Sequence, residues 1–285
     1  MRRSRRSLAA ATLALAVSPL LAEDRPGVEN REAAAILPQV HVSLDTASPS
    51  RFQPPSPLPI GTDHDMYCSG FIGPLNQEWT GSVVSAAAVE AQSIFMETDI
   101  VYVNIGANRG VIPGQEFWVY RPDEVVYKYG SVLDELGRIY NTQARGRIVC
   151  VQEESAILEI VRSCSDVEVG DLLLPYEPIP IPLVRRSRPV TACEPPNGKI
   201  LGHIIEVKER ATPVADRSVV YLDLGDTDGV TAGDFLTVYR TRGQAKGVRT
   251  VLGELAILKT QPHTAVAVVT SMNDVMYAGD EIELK

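Results

Sequence analysis

The sequence lacks most of the short motifs that announce chemistry. There is no CxxC, so neither a redox dithiol nor a zinc knuckle is indicated. There is no GxSxG for a serine nucleophile, no GxGxxG for a dinucleotide and no phosphate-cradling Walker loop. The histidines His41, His64, His203 and His263 do not pair at metal-ligand spacing. The apolar stretch Leu8–Leu21 is shorter than the ~20 residues that a membrane-crossing helix needs. Carboxylates are plentiful enough for a glycosidase-type pair, but no spacing selects one. The sequence therefore assigns no catalytic residue, no metal and no cofactor, and the expectation is a protein that is not an enzyme.

What is present first is an export signal. Arg2, Arg3, Arg5 and Arg6 precede the apolar stretch, and no Asp or Glu occurs before Glu23. This is the layout of a signal peptide over residues 1–22, with cleavage after the small Ala22. A retained anchor competes with that reading and is disfavoured by the short run. No cysteine lies near the site to carry a lipid. Ser4–Leu8 faintly resembles a twin-arginine signal, although ordinary secretion fits better. The expected location is the bacterial periplasm or the exterior, with no transmembrane segment after cleavage. Cleavage would remove four arginines and no acid, leaving 23 basic against 36 acidic residues. Such an acidic chain is a poor partner for nucleic acid, whose binding depends on neutralising phosphates, and for anionic lipid.

The chain is organised around a duplication. Asp99–Pro122 and Ser218–Arg240 match at a constant offset, aligning Tyr102 with Tyr221, Gly106 with Gly225, Gly110 with Gly229 and Gly114 with Gly233. Val111, Val119 and Tyr120 pair likewise with Val230, Val238 and Tyr239. The glycines recur every four residues, but three of them in a helix would cost about 1 kcal/mol each, and Pro113 also opposes a helix. A double turn between strands is expected, with the six glycines supplying positive φ. Ile100–Ile105 and Glu116–Tyr120 flank it as strands, with Phe117 and Val119 on one face and Trp118 and Tyr120 on the other. Tyr67–Ile72 is a candidate first strand. Residues 84–96 read as strand or as an Ala-rich helix; Gly202–Val207 in the second copy favours a strand. Arg145–Val151 and Ala156–Val161 form a hairpin, and Gly-Asp followed by a strand closes each copy at Gly170 and Gly279.

These elements give an all-β expectation: two tandem small barrel-like modules of about six strands each. Module one covers residues 66–175 and module two 199–285. A Pro-rich disordered tail spans 23–65 and a Pro-rich spacer 176–198. Gln39–Leu44 alternates like a short strand within that tail; an incidental apolar patch is the preferred reading and a docking strand for another molecule the alternative.

Candidate sites are few. Asp223, Asp226 and Asp228 beside Gly229 suggest calcium, but the first and last positions of such a loop would be Leu224 and Phe235. Asp226 and Asp228 also align with Ala107 and Arg109, so the carboxylates are not part of what is repeated; turn aspartates at a surface explain them. Asp63-His64-Asp65 reads as a solvated turn at a linker edge. The connection Asp123–Glu135 is not shared between copies. With Tyr127 and Tyr129 beside Trp118 and Tyr120, it is the best binding candidate, by protein contact or by stacking on sugar rings. The competing reading packs Trp118 and Tyr120 into a core or sheet face. The four cysteines, Cys68, Cys150, Cys164 and Cys193, allow three disulfide pairings. A tight turn at Gln152–Ser155 would set Cys150 opposite Ile157, away from Cys164.

The motif G-x3-G-V-x2-G-[DQ]-x-[FL]-x-V-Y-R resembles repeats of exported bacterial proteins of unknown function, some with peptidoglycan-binding LysM segments. It is also similar to the C-terminal module of flagellar assembly protein T. The resemblance covers residues 66–285 and rests on glycine and apolar positions. It implies that Tyr67–Ile72 opens the first module and Val169-Gly170-Asp171 closes it. It also implies a Cys68–Cys164 bond across the two ends of that module, leaving Cys150 for Cys193. No LysM segment is present. The expected role is a cell-envelope scaffold or protein-binding module with an envelope protein partner. A glycan- or peptidoglycan-binding accessory protein is the alternative, and an uncharacterised hydrolase the third.

Overall fold

A computed structural model describes residues 57–86, 93–184, 191, 194–241 and 249–285. The signal peptide, most of the expected tail and Cys193 lie outside these residues. In chain order the first half contains Leu58–Pro59 (β1), helix Asp63–Tyr67 (α1), Phe71–Gly73 (β2), Gly81–Ala86 (β3), Ile94–Phe95 (β4) and Ile100–Val103 (β5). It continues with Glu116–Tyr127 (β6), Glu135–Val151 (β7), Ala156–Ser163 (β8), Val167–Glu168 (β9) and Leu172–Pro175 (β10). The second half contains Leu183–Val184 (β11), Leu201–Val207 (β12), Val219–Leu222 (β13), Phe235–Thr241 (β14), Arg249–Thr260 (β15), Ala265–Met272 (β16) and Glu281–Leu284 (β17).

The duplication is visible in the hydrogen bonding. Strands β3, β5, β8, β7, β6 and β10 pair antiparallel in that circular order and close a six-stranded barrel. Strands β12, β13, β16, β15, β14 and β17 close a second barrel in the same order. The registers correspond: Tyr102 faces Ile157 in the first barrel, and Tyr221 faces Val266 in the second. Closure removes exposed sheet edges. Alternation then sends one face of every strand inward. Val101, Val103, Phe117, Val119, Leu158 and Leu173 fill the first barrel. Val220, Leu222, Leu236, Val238, Ile257 and Ile282 fill the second. Each such side chain taken fully from water contributes about 1.5–3 kcal/mol.

The glycine turn is also built twice, but its glycines do two different jobs. Gly110, Gly114, Gly229 and Gly233 have φ between 75° and 98°, the left-handed region expected of them. Gly106 and Gly225 do not: their φ values are −143° and −144°. They are glycine because the neighbouring hairpin leaves no room. A Cβ on Gly106 would lie 2.5 Å from the carbonyl oxygens of Gln152 and Glu153, and one on Gly225 2.3 Å from that of Gln261. The approach lets the loop amides bond the hairpin: Ala107 and Asn108 donate to Gln152 and Glu153, and Asp226 and Thr227 to Gln261 and Pro262. The hairpin turn itself is as expected, with Cys150 opposite Ile157.

The boundaries differ from expectation. Residues 58–65 belong to the folded body: β1 pairs with β11. Tyr67 ends helix α1 instead of opening a strand, which starts at Phe71. Asp63-His64-Asp65 is the first turn of that helix, where Asp65 bonds Thr62 and pairs with Arg217 at 2.7 Å. The segment expected as a free spacer is packed over 179–184. Gly81–Ala86 is a strand, and residues 87–92 lie outside the description.

These segments join the barrels into one body. Ile60 and Met66 from β1–α1, Ile72 from β2, and Val126 and Ile139 from β6 and β7 pack on the outer face of barrel two. That face presents Tyr221, Ala256, Leu258, Val266 and Val268, and Ile179, Ile181 and Val184 cover its flank. The Tyr221 hydroxyl donates to Ser69 O at 2.9 Å. Proline 182 restricts the strap but leaves its carbonyl free to accept from Ile60 N.

Lys259 pairs in register with Val266 on this outer face. Burial, reinforced by the neighbouring Lys208 cation, lowers its ammonium pKa to about 7. The unfolded chain, with a lysine near 10.4, holds that proton more tightly between pH 7 and 10. Stability therefore rises with pH across that window. Lys259→Met is expected to raise the melting temperature at pH 7 and to flatten its rise toward pH 10, checked by calorimetry across the range.

Candidate functional site

The four aromatic candidates do not form one site. Trp118 and Tyr120 point out of barrel one, as their alternation predicts, yet they are only 5% and 6% exposed. They are covered by aromatics from distant segments. Tyr67 and Tyr176 pack on Trp118 at 5.4 and 4.8 Å between ring centres. Phe71 meets Tyr120 edge-on at 5.2 Å, and Trp79 meets Tyr140 at 5.0 Å. The Arg145 guanidinium lies 5.0 Å from the Tyr176 ring centre. Burial pushes the Tyr120 hydroxyl far above its ordinary pKa. This is a packed wall, each aromatic contact adding about 0.5–1.5 kcal/mol beyond area burial.

Tyr127 and Tyr129 are exposed, at 40% and 54%. Strand takes the first five residues of the connection that carries them, through Tyr127, and resumes at Glu135, with Tyr129 in the turn between. β6 and β7 run past the barrel wall, pairing Val125 with Arg138, Val126 with Gly137 and Tyr127 with Glu135. The result is a two-stranded arm that lies along barrel two. Asp123 and Glu124 pair with Arg210 at 2.9 and 3.2 Å. The Tyr129 ring stacks on His203 with centres 4.6 Å apart and planes 27° from parallel. A Cβ on Gly279 would meet the Tyr129 ring at 2.6 Å, so this glycine admits the arm as well as adopting φ 94°.

Beneath that stack sits a pair that the sequence did not reveal. His203 Nδ1 is 3.2 Å from Asp223 Oδ2, and Asp223 Oδ1 accepts from His203 N at 2.5 Å. A carboxylate accepts, so His203 Nδ1 donates to Asp223, and the pair fixes the orientation of the ring and of its Nε2. The Asp223 side chain is fully buried, in contrast to the surface turn expected for it. Barrel one holds the uncharged counterpart: Asn104 Oδ1 accepts from Ser82 N at 2.7 Å. The backbone bond is what the fold repeats; the imidazole and the carboxylate are additions of barrel two.

A cleft of about 450 Å3 opens beside His203, lined by Tyr129, Arg240, Thr241, Tyr277 and Glu281. Arg240 is clamped by Asp280 through two bonds of 2.7 Å. Arg121 and Asp171 repeat this clamp in barrel one at 2.8 and 3.0 Å. In both, the hydrogen bond to the aspartate raises the arginine pKa, and the ion pair ties a strand, β6 or β14, to the turn before its neighbour, β10 or β17. The signal was in the sequence: the terminal Arg of the repeated motif and the repeated Gly-Asp are the two partners. Asp228 accepts from Gly225 N. Among the described residues no three His, Cys, Asp or Glu side chains gather to hold a metal ion.

No family model matches the chain, and no curated protein matches it. Cys68 and Cys164 are joined, as expected, with Cα atoms 5.3 Å apart. The bond fits an oxidising environment outside the cytoplasm. Cys150 is exposed and forms no disulfide among the described residues; its expected partner Cys193 lies outside them. Among the described residues no helix is long and apolar enough to cross a membrane.

Proposed function

We propose that the protein is a non-enzymatic binding module of the bacterial cell envelope, exported to the periplasm or beyond, which docks a protein partner on its arm. The observation that carries this reading is the arm's tip. Val132 and Leu133 are adjacent, 84% and 87% exposed, and are the most exposed large apolar side chains among the described residues. Their turn is preformed. Lys128 N bonds Asp134 O at 2.8 Å, and Ser131 Oγ accepts from the amides of Leu133 and Asp134. The stem is fixed on barrel two, so a partner gains an apolar anchor with little ordering cost. Scattered exposed apolar residues need no explanation, but two together on a rigid tip do.

The test compares the full chain with Val132→Asp/Leu133→Asp in cross-linking and pull-down from envelope extract, alongside vesicle flotation. The wild type is expected to retain a specific envelope protein that the double variant loses, with unchanged melting. Equal retention by both proteins, or vesicle binding that the aspartates abolish, would overturn the docking role.

A further inference from the structure

We propose that the cleft beside His203 is a binding site for a neutral saccharide, separate from the docking tip. Sugar rings carry apolar C–H faces and a fringe of hydroxyls, and the cleft offers both complements. Tyr129 and Tyr277 stand half exposed, at 54% and 45%. Each is backed on one side: Tyr129 by the His203 ring, Tyr277 by the Arg240 guanidinium 5.5 Å from its centre. Such aromatics are held rigid and keep surface for a ligand. Around them lie the Glu281 carboxylate, which accepts from the Thr241 hydroxyl at 2.8 Å, and the polar His203 Nε2, oriented by Asp223. A volume of about 450 Å3 lies within the ~300–1,000 Å3 range of small-ligand pockets.

The charge balance selects the ligand class. Among the described residues Arg240 is the one lysine or arginine lining the cleft, and Asp280 already neutralises it through both oxygens. Glu281 adds a negative charge, so among the described residues phosphates and carboxylates find no free cation. The first barrel isolates what is special here. At the positions of His203, Tyr277 and Glu281 it has Ser82, Glu168 and Leu172, while keeping the same strands and the same Arg–Asp clamp. The barrel closes without these groups; they are surplus to the fold and gather at one cleft.

The experiment is calorimetric titration of cellobiose and of N,N′-diacetylchitobiose into the full chain, with choline chloride as the cationic control. Saturation-transfer NMR reports the contact protons. At least one disaccharide is expected to bind at millimolar concentration, and Tyr277→Ala to weaken it roughly tenfold, about 1.4 kcal/mol, with the melt unchanged. Three results would overturn the proposal: neither sugar binds, choline binds in their place, or sugar binding survives Tyr277→Ala undiminished. Val132→Asp/Leu133→Asp should leave sugar binding intact, which separates this site from the docking tip.

Discussion

Gly225→Ala is expected to lower the melting temperature by roughly 6 °C or more, while Gly229→Ala costs less, although Gly229 has the left-handed backbone. At Gly225 the new methyl meets the Gln261 carbonyl oxygen at 2.3 Å and that of Pro262 at 2.6 Å. These are backbone atoms of a tight hairpin turn that also receive the amides of Asp226 and Thr227. Relief requires breaking both bonds or moving the turn, a cost at or above the ~3 kcal/mol upper end of ordinary overpacking. One kcal/mol shifts the melting point of a chain this size by about 2–4 °C. At Gly229 the only atom near a new Cβ is Ile200 Cδ1 at 3.7 Å. There the penalty is conformational, about 1–2 kcal/mol. Thermal melts of the two variants, with Gly106→Ala as the barrel-one replica of Gly225→Ala, check the order. A Gly229 variant less stable than the Gly225 variant would show that positive φ, and not close approach, governs the loop.

Cys68→Ser/Cys164→Ser is expected to destabilise by about 4 kcal/mol, or on the order of 10 °C. The bond closes a loop of 96 residues, and in the chain-entropy account a longer loop means more freedom restored to the unfolded chain. Its position adds a prediction about where loosening begins. Cys68 caps helix α1, whose Met66 is fully buried in the core shared by the barrels. Cys164 follows β8 of barrel one. Without the bond, hydrogen exchange should accelerate first in residues 58–73 and later in either barrel interior. Calorimetry with and without reductant, paired with exchange, measures both. A melt unmoved by the double substitution would remove the bond from any structural role.

The repeat was the legible part of this chain. Aligned glycines and inward apolar positions specify two barrels because a β-strand alternates faces with period two. The same alternation placed Trp118 and Tyr120 opposite Phe117 and Val119. It could not say what covers an outer face. That depends on Tyr67, Phe71, Trp79 and Tyr176, which arrive from distant segments. Both tryptophans lie in that wall, so tryptophan quenching would not report a ligand at His203. The connection 123–135 looked like a loop because its apolar residues neither alternate cleanly nor cluster. Its two ends are strand because they pair with each other and lie against barrel two; residues 128–134 remain the turn between them. Asp223 looked like a surface turn residue because Asp226 and Asp228 follow it at a glycine turn. Its burial depends on His203, twenty positions earlier, and on a stacking tyrosine from the other module. His203 and Tyr129 could be paired only once both barrels were in place.

The shared core also has a consequence for how such a chain can change. In an open array, each repeat offers the next a matching face, so copies can be gained or lost. Here the corresponding tyrosines have parted company: Tyr102 remains half exposed, whereas Tyr221 is sealed beneath segments that have no counterpart in the repeat. The duplication has become a division of labour, with one copy supplying arm and straps and the other the wall that they cover. Exchanging either half for a second copy of the other would leave that wall without its cover or the cover without its wall.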